Sequence, residues 1–468
     1  MATCVAMTVG EEFSSRPRSA NALAHNPSLT YTSGSHPASA NSMHHFTYRN
    51  GQLHAEDVAV ARIAEAVGTP VYIYSTATLK RHYQVFAKAI GAPKHRVFYA
   101  MKANSNQAVL ATLAALGAGA DTVSEGEIRR ALAAGIPADR IVFSGVGKSA
   151  QELAFAVDTG IYQINIETES ELELLSKIAS ARGKRQSAVV RVNPDVGAGG
   201  HAKITTGSSA NKFGVSFDDA ARIYARAANM PGVKMLGLAT HIGSLIMDLD
   251  DLEAAFKRMR DLTLRLRGEG LAVERLDLGG GLGIPYEIPE TFDLGPDLIE
   301  AYADMIERTL GSLDVEHGFE PGRLIAGNAG ILVTQVLQTN PRAHTTFLIV
   351  DAAMNDLIRP AMYEAYHEIW PVRQAAANAV RRTYDVAGPV CESGDTFATG
   401  RQLPPTDIGD LLAFMTAGAY GATMSSTYNT RLLVPEVLVN GAEFAVVRPR
   451  TTFEELIGLD RLPGWLGG

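Results

Sequence analysis

Between residues 97 and 320 the chain repeats one unit, and that repeat constrains the fold more than any other feature. Each unit is a short apolar run that reads as a strand, followed by a helical stretch. The candidate strands span 97–101, 120–123, 141–143, 163–166, 189–192, 236–241 and 276–278, with a short eighth around Phe319. Several run straight into a helix-start signature. Ser124/Glu127, Ser149/Glu152 and Thr168/Glu171 have capping-box spacing, in which the hydroxyl accepts a free backbone N–H and the glutamate reaches back. Ser216/Asp219 approximates it. After the third signature, Leu172, Leu175 and Ile178 form an apolar stripe at helical spacing, as do Leu79, Tyr83, Phe86 and Ile90 ahead of the first strand. Eight strand–helix units in about 250 residues are the grammar of an α/β fold closed into a (β/α)8 barrel. An open doubly wound sheet is the alternative, and the number of units favours closure.

The rest of the 468 residues follows a different pattern. Residues 1–42 are rich in Ser, Ala, Asn and Pro without periodicity and read as a disordered extension. They lack the apolar core of a secretory signal; Arg16 and Arg18 hint at a transit peptide, and Glu11 and Glu12 argue against one. Met43 opens the globular pattern and is a candidate start. Segment 43–77 reads as a strand, a turn at Asn50-Gly51, a helix and a strand at 71–74. The barrel is placed at 78–328. In 329–468, runs at 331–338, 346–350 and 444–447 indicate a second, mostly β domain that the 43–77 segment joins. With 42 Lys plus Arg against 50 Asp plus Glu and no basic block, nucleic acid is excluded as a partner. No apolar run approaches the roughly 20 residues that span a bilayer, so no membrane partner is expected. Two cysteines, Cys4 and Cys391, fit a reducing, cytoplasmic setting.

Four clusters fall at strand ends, which share one mouth in a barrel. The first strand stops on a lysine in Val97-Phe98-Tyr99-Ala100-Met101-Lys102-Ala103-Asn104. Desolvated there, the amine would lose some preference for its charged form and become a better nucleophile; snorkelling out of the strand end is the alternative. The sixth ends in Thr240-His241-Ile242-Gly243-Ser244, where His241 is either a ring-stacking group or a core histidine. The seventh ends in Gly279-Gly280-Gly281-Leu282-Gly283, a run that lets backbone N–H groups close around an anion or simply makes a tight turn. The eighth ends in Glu320-Pro321-Gly322-Arg323. A phosphate cradle plus a buried lysine suggests pyridoxal 5'-phosphate, whose ring nitrogen needs a facing carboxylate, with Glu320 the candidate.

With these motifs, and with Arg359-Pro360-Ala361-Met362-Tyr363, Cys391-Glu392-Ser393-Gly394-Asp395 and Ala419-Tyr420-Gly421-Ala422, the chain resembles the fold-type III pyridoxal-phosphate decarboxylases, and among them the bacterial diaminopimelate decarboxylases, from about Met43 to Leu456. The resemblance implies that Lys102 carries the cofactor, His241 stacks on its ring and Glu320 pairs with the ring nitrogen. It implies that Ser244, Gly280, Gly322 and Tyr420 hold the phosphate. Arg323, Arg359 and Tyr363, with Tyr420, would bind meso-diaminopimelate, whose far end carries a carboxylate that arginine forks suit. It further implies a homodimer in which Cys391 and Glu392 reach the partner's substrate. Cys391 is then a proton donor or, equally, a small apolar filler. The expected reaction releases CO2 and L-lysine, the last step of lysine biosynthesis. Other expectations are a decarboxylase of ornithine, arginine or a D-amino acid, or a non-catalytic regulatory homologue; the first lacks a use for Arg359, and the last would be expected to lose Lys102, Cys391 or the glycine run. An alanine racemase would want an arginine in place of Glu320. Leu245 and Leu324 depart from the family pattern, and no metal ligand set is apparent.

Overall fold

The computed structural model describes residues 44–92, 94–196, 212–287 and 296–466; the expected extension at 1–42 and Met43 lie outside them. Eight parallel strands close into a barrel: Arg96–Ala100, Gly119–Thr122, Ile141–Phe143, Gln163–Ile166, Gln186–Arg191, Val233–Ala239, Arg275–Asp277 and Glu316–Phe319. Closure is made by the eighth strand pairing the first (Gly318 with Arg96) and the sixth pairing the fifth and seventh. Helix Thr76–Ala89 precedes the first strand and buries Leu79, Tyr83 and Phe86, the stripe seen in the sequence. It packs beside helices Gln107–Ala114 and Pro296–Leu310, which fills the place left by the eighth strand's short helix Arg323–Ala326.

The helix-start signatures work, with one refinement. Ser149 and Glu152 form the complete reciprocal box. At Ser124 the hydroxyl accepts from Glu127 N, but the Glu127 carboxylate reaches one residue further back to Val123 N, 2.7 Å away. Glu171 likewise serves Glu167 N at 3.4 Å, and its other oxygen is taken by Lys148. In both cases the loop before the helix is tight enough that the glutamate meets the preceding residue's amide.

The second sheet has nine strands, and the strand Val71–Ser75 from the N-terminal segment lies inside it. That strand pairs antiparallel with Gly330–Pro341 (Ile73 with Ile331) and parallel with Glu436–Asn440 (Ile73 with Val437). Its five residues are all buried, which is why it reads as an unbroken apolar run rather than an alternating one. Val71 and Ile73 join Ile331, Val333, Val437 and Val439 in a core against the small sheet that starts with Phe46–Arg49. The sequence reading missed Arg382–Ala387, Thr396–Leu403 and Leu411–Phe414, strands broken by polar residues or too short to show a period. Among the described residues no helix is long and apolar enough to cross a membrane.

Candidate active site

The barrel mouth has an acidic floor. Asp121, Asp277 and Glu320 lie on the second, seventh and eighth strands or just beyond them, and all three are buried. Lys102 follows the first strand, and its Nζ donates to Asp121 Oδ2 at 2.9 Å while 36% of its side chain stays accessible. Burial draws the ammonium down, but Asp121, Tyr420 and Glu320 outweigh it and leave the amine above the ordinary lysine range. The sequence expectation of a lysine relieved of its charge is therefore corrected: a carboxylate one strand away reverses the effect of burial. Burial, with Asp121 and Asp277 alongside, pushes the Glu320 carboxyl well above its usual value. Asp277 is raised by burial too, although Gly279 N and the Gln163 side chain donate to it, each at 3.1 Å. Glu320 and Asp277, buried side by side, therefore each resist giving up a proton.

His241 sits at the end of the sixth strand, its Nδ1 accepting from Gly280 N at 3.1 Å. That bond leaves the ring proton on Nε2. Burial, helped by Lys102 and Arg191, pushes the imidazole well below its ordinary value and keeps it neutral. The glycines of the seventh-strand loop are required by close backbone approach. A Cβ on Gly280 would stand 2.1 Å from Glu320 O, and one on Gly281, at φ 111°, 2.4 Å from Gly243 O. The expectation that this run's amides stand ready for an anion is corrected in part, because Gly279, Gly280 and Gly283 already donate to Asp277, His241 and Ile246. Leu245 adopts a left-handed backbone at φ 62° in the loop that bonds this run, and Leu324 is buried beneath it.

Above the floor two buried arginines converge on Tyr286. Arg323 donates to the Tyr286 hydroxyl and to Ser244 Oγ, and its guanidinium carbon lies 4.6 Å from the Tyr420 ring centre. Arg359, only 2% exposed, lies 4.2 Å over the Tyr286 ring. Among the described residues neither arginine has a carboxylate partner. Burial, opposed by Tyr286 and reinforced by Arg323, disfavours the charge on Arg359. Tyr420 holds a left-handed backbone at φ 56° and donates its N–H to Ala103 O, which ties its loop to the first strand end. Tyr363 ends the five-residue helix that Arg359 begins, and Gly322 packs against Ala100 and Ala103.

The family described as "Pyridoxal-dependent decarboxylase, pyridoxal binding domain" matches residues 76–327, more than half of the chain. A diaminopimelate decarboxylase of Zymomonas mobilis subsp. mobilis is 46% identical over 428 residues, 90% of this chain and 99% of that one. One from Pseudomonas aeruginosa is 46% identical over 411 residues, 88% and 97% of the two chains. The chain belongs to the diaminopimelate decarboxylase family. The structure of the Helicobacter pylori diaminopimelate decarboxylase complexed with L-lysine is similar at a TM-score of 0.81 and 37% identity, covering 85% of this chain and 98% of that one.

Within this family member, the fold gathers Lys102, His241, Ser244, Gly280, Glu320, Gly322, Arg323, Arg359 and Tyr420 around one mouth. Cys391 and Glu392 stand apart. Both are exposed, and their own bonds run to Asn429 (3.4 Å) and Tyr428 (2.5 Å) rather than to the mouth. Sequence reasoning missed Asp121, Asp277 and Tyr286. An acid inside a buried apolar strand was the available signal for the first two; Tyr286 had none beyond its place after the glycine run.

Proposed function

We propose that this protein removes CO2 from the D-configured centre of meso-2,6-diaminopimelate and releases L-lysine, using pyridoxal 5'-phosphate held at Lys102. The observation that carries the substrate is the pair of buried arginines without a carboxylate partner among the described residues. A buried cation so placed is costly unless a ligand anion completes it. An amine-ended substrate such as ornithine would leave both unanswered. The cofactor fits the floor. Asp121 Oδ1 is buried and unpartnered, Glu320 is an acceptor with weak 3.4 Å partners, Ser144 and Asn165, and an acidic floor suits a cationic ring.

When bound, pyridoxal phosphate supplies the electron sink for the pair left behind as CO2 departs. The chain's own residues do the rest. Asp121 holds the Lys102 amine in place and is the nearest acceptor for its proton. Glu320, whose burial and neighbouring Asp121 and Asp277 raise its affinity for a proton, would share the ring-nitrogen proton. His241, neutral and fixed by Gly280, would cover the ring face without adding charge. Ser244, Gly322 and Tyr420 would hold the phosphate, with Gly280, its N–H taken by His241, leaving room beside them. Arg323, Arg359, Tyr363 and Tyr420 would orient the distal end of the substrate, so that the carboxylate to be lost faces Lys102. Because Cys391 and Glu392 lie exposed, a second copy would bring them to this mouth, Cys391 to deliver a proton to the carbon that lost CO2 and Glu392 to meet the distal amine. The working unit is thus a homodimer, acting in the cytoplasm, with the barrel (78–328) and the β domain (43–77 with 329–468) as separate domains.

Purified protein supplied with pyridoxal phosphate and meso-diaminopimelate should yield equal amounts of CO2 and L-lysine, and Lys102→Ala should yield neither. Lysine formation by that variant at the parental rate, or none by the parent, would sink the reading.

A further inference from the structure

Arg359 is met by a residue eight positions along. The helix Arg359–Tyr363 stops at Glu364, whose left-handed backbone (φ 53°) turns the chain back. That turn carries His367 beneath Arg359, with 2.7 Å between Arg359 Nη1 and His367 Nε2. A guanidinium has only donors, so Nε2 accepts and cannot carry a proton. The proton then sits on Nδ1, which lies 2.8 Å from the Met415 carbonyl, a group that only accepts. Both contacts thus demand one tautomer of a neutral ring. Tyr286 meets the same ring edge-on, with centres 5.2 Å apart at 82°.

We propose that His367 is a positioning residue for substrate specificity: it anchors one N–H of Arg359 and aims the rest of the guanidinium fork at the distal carboxylate. The inference rests on the reading of Arg359 as a carboxylate ligand. Among the described residues His367 bonds Arg359 and Met415 and not the floor or Lys102, so it acts on substrate grip and not on the bond-breaking step. Burial and the facing Arg359 push the imidazole down to about 3, so it keeps its acceptor across the working pH range. Tyr286 completes the frame. Stacked under Arg359 and bonded to Arg323, it sets the spacing of the two guanidiniums.

The test compares His367→Ala with His367→Gln, whose amide can accept from Arg359 and donate to Met415. Each is loaded with pyridoxal phosphate and assayed for lysine formation from meso-diaminopimelate. In His367→Ala the KM should rise roughly tenfold to a hundredfold, the effect of losing one hydrogen bond to a charged group, while kcat and the bound-cofactor absorbance stay near the parent's. His367→Gln should recover most of the affinity. An unchanged KM in His367→Ala overturns the proposal, as does a matched loss of kcat and cofactor binding that glutamine does not restore. If the parent itself makes no lysine, the function assignment fails, whatever the variants do.

Discussion

Replacing Asp121 with asparagine keeps the shape of the lysine's partner and removes its charge. In the parent, Lys102 Nζ lies 2.9 Å from Asp121 Oδ2. Two unit charges at that distance attract by about 6 kcal/mol at an effective dielectric of about 20. The amine keeps 36% accessibility, so solvent screens much of this. What remains for a paired group near the mouth is about 1.4–4 kcal/mol, or about one to three pH units. Two effects oppose each other at this amine. Burial lowers the affinity of Lys102 for its proton, and the Asp121 carboxylate counters burial more strongly than any other group nearby. Without that carboxylate only Tyr420 and Glu320 still oppose burial, and the amine deprotonates at lower pH. The amine must be neutral before its nitrogen can join the cofactor's aldehyde. The rate at which cofactor-free protein takes up pyridoxal phosphate, followed by absorbance across pH, should therefore have its midpoint moved down by about one to three pH units in Asp121→Asn. A midpoint that stays put or moves up would refute the claim that Asp121 governs the charge on Lys102.

Other outcomes follow from the same geometry. Lys148 is 1% exposed and donates to Gly145 O, Asn165 O and Glu171 Oε1, each at 2.7 Å; Lys148→Met should destabilise the fold by about 3–5 kcal/mol in urea denaturation, and adding Glu171→Leu should recover much of it. Mixing Lys102→Ala with Cys391→Ala subunits, each inactive alone, should restore about a quarter of parental activity if one site takes residues from both copies of a two-fold dimer, and none if sites are built from single chains. His317 is buried with both ring nitrogens unpartnered and stacks on His95, and burial with His95 pushes it to about 4. Its folded value lies below its unfolded one, so the folded state binds fewer protons and stability falls as pH drops from about 6.5 to about 4, by up to about 3 kcal/mol, a slope that thermal melts of His317→Phe should show flattened.

The sequence displayed the residues that end strands, because a strand ending is a local event. Lys102, His241, the glycine run and Glu320 each interrupt an apolar run, and closure of eight strands then brings them together. Partnerships were not legible in the same way. Asp121 belongs to a different strand from Lys102, and nothing local says that the two meet or that their contact reverses the effect of burial. The capping boxes show the same limit on a smaller scale, since spacing fixed the hydroxyl's partner but not whether Glu127 would reach Ser124 or Val123. Strands such as Arg382–Ala387 were missed because they are half-exposed and short, so their sheet neighbours decide them and not their own pattern.

With the proposed roles, the distribution of charge around the mouth would select both the substrate and its direction of entry. Asp121, Asp277 and Glu320 make the floor net acidic, with Lys102 paired to one of them, while Arg323 and Arg359 make the upper wall cationic. A molecule with a single carboxylate and a terminal amine would place that carboxylate between opposing demands, drawn to the arginines and away from the place where it must leave. A dicarboxylic diamine satisfies both ends at once. On the proposed assignment its distal carboxylate would occupy the arginines, and the other would be held over the acidic floor, where a neighbouring negative charge would favour its departure as neutral CO2. The cationic wall would therefore do two things with one pair of residues: bind one carboxylate, and by being filled leave the second no other place to go.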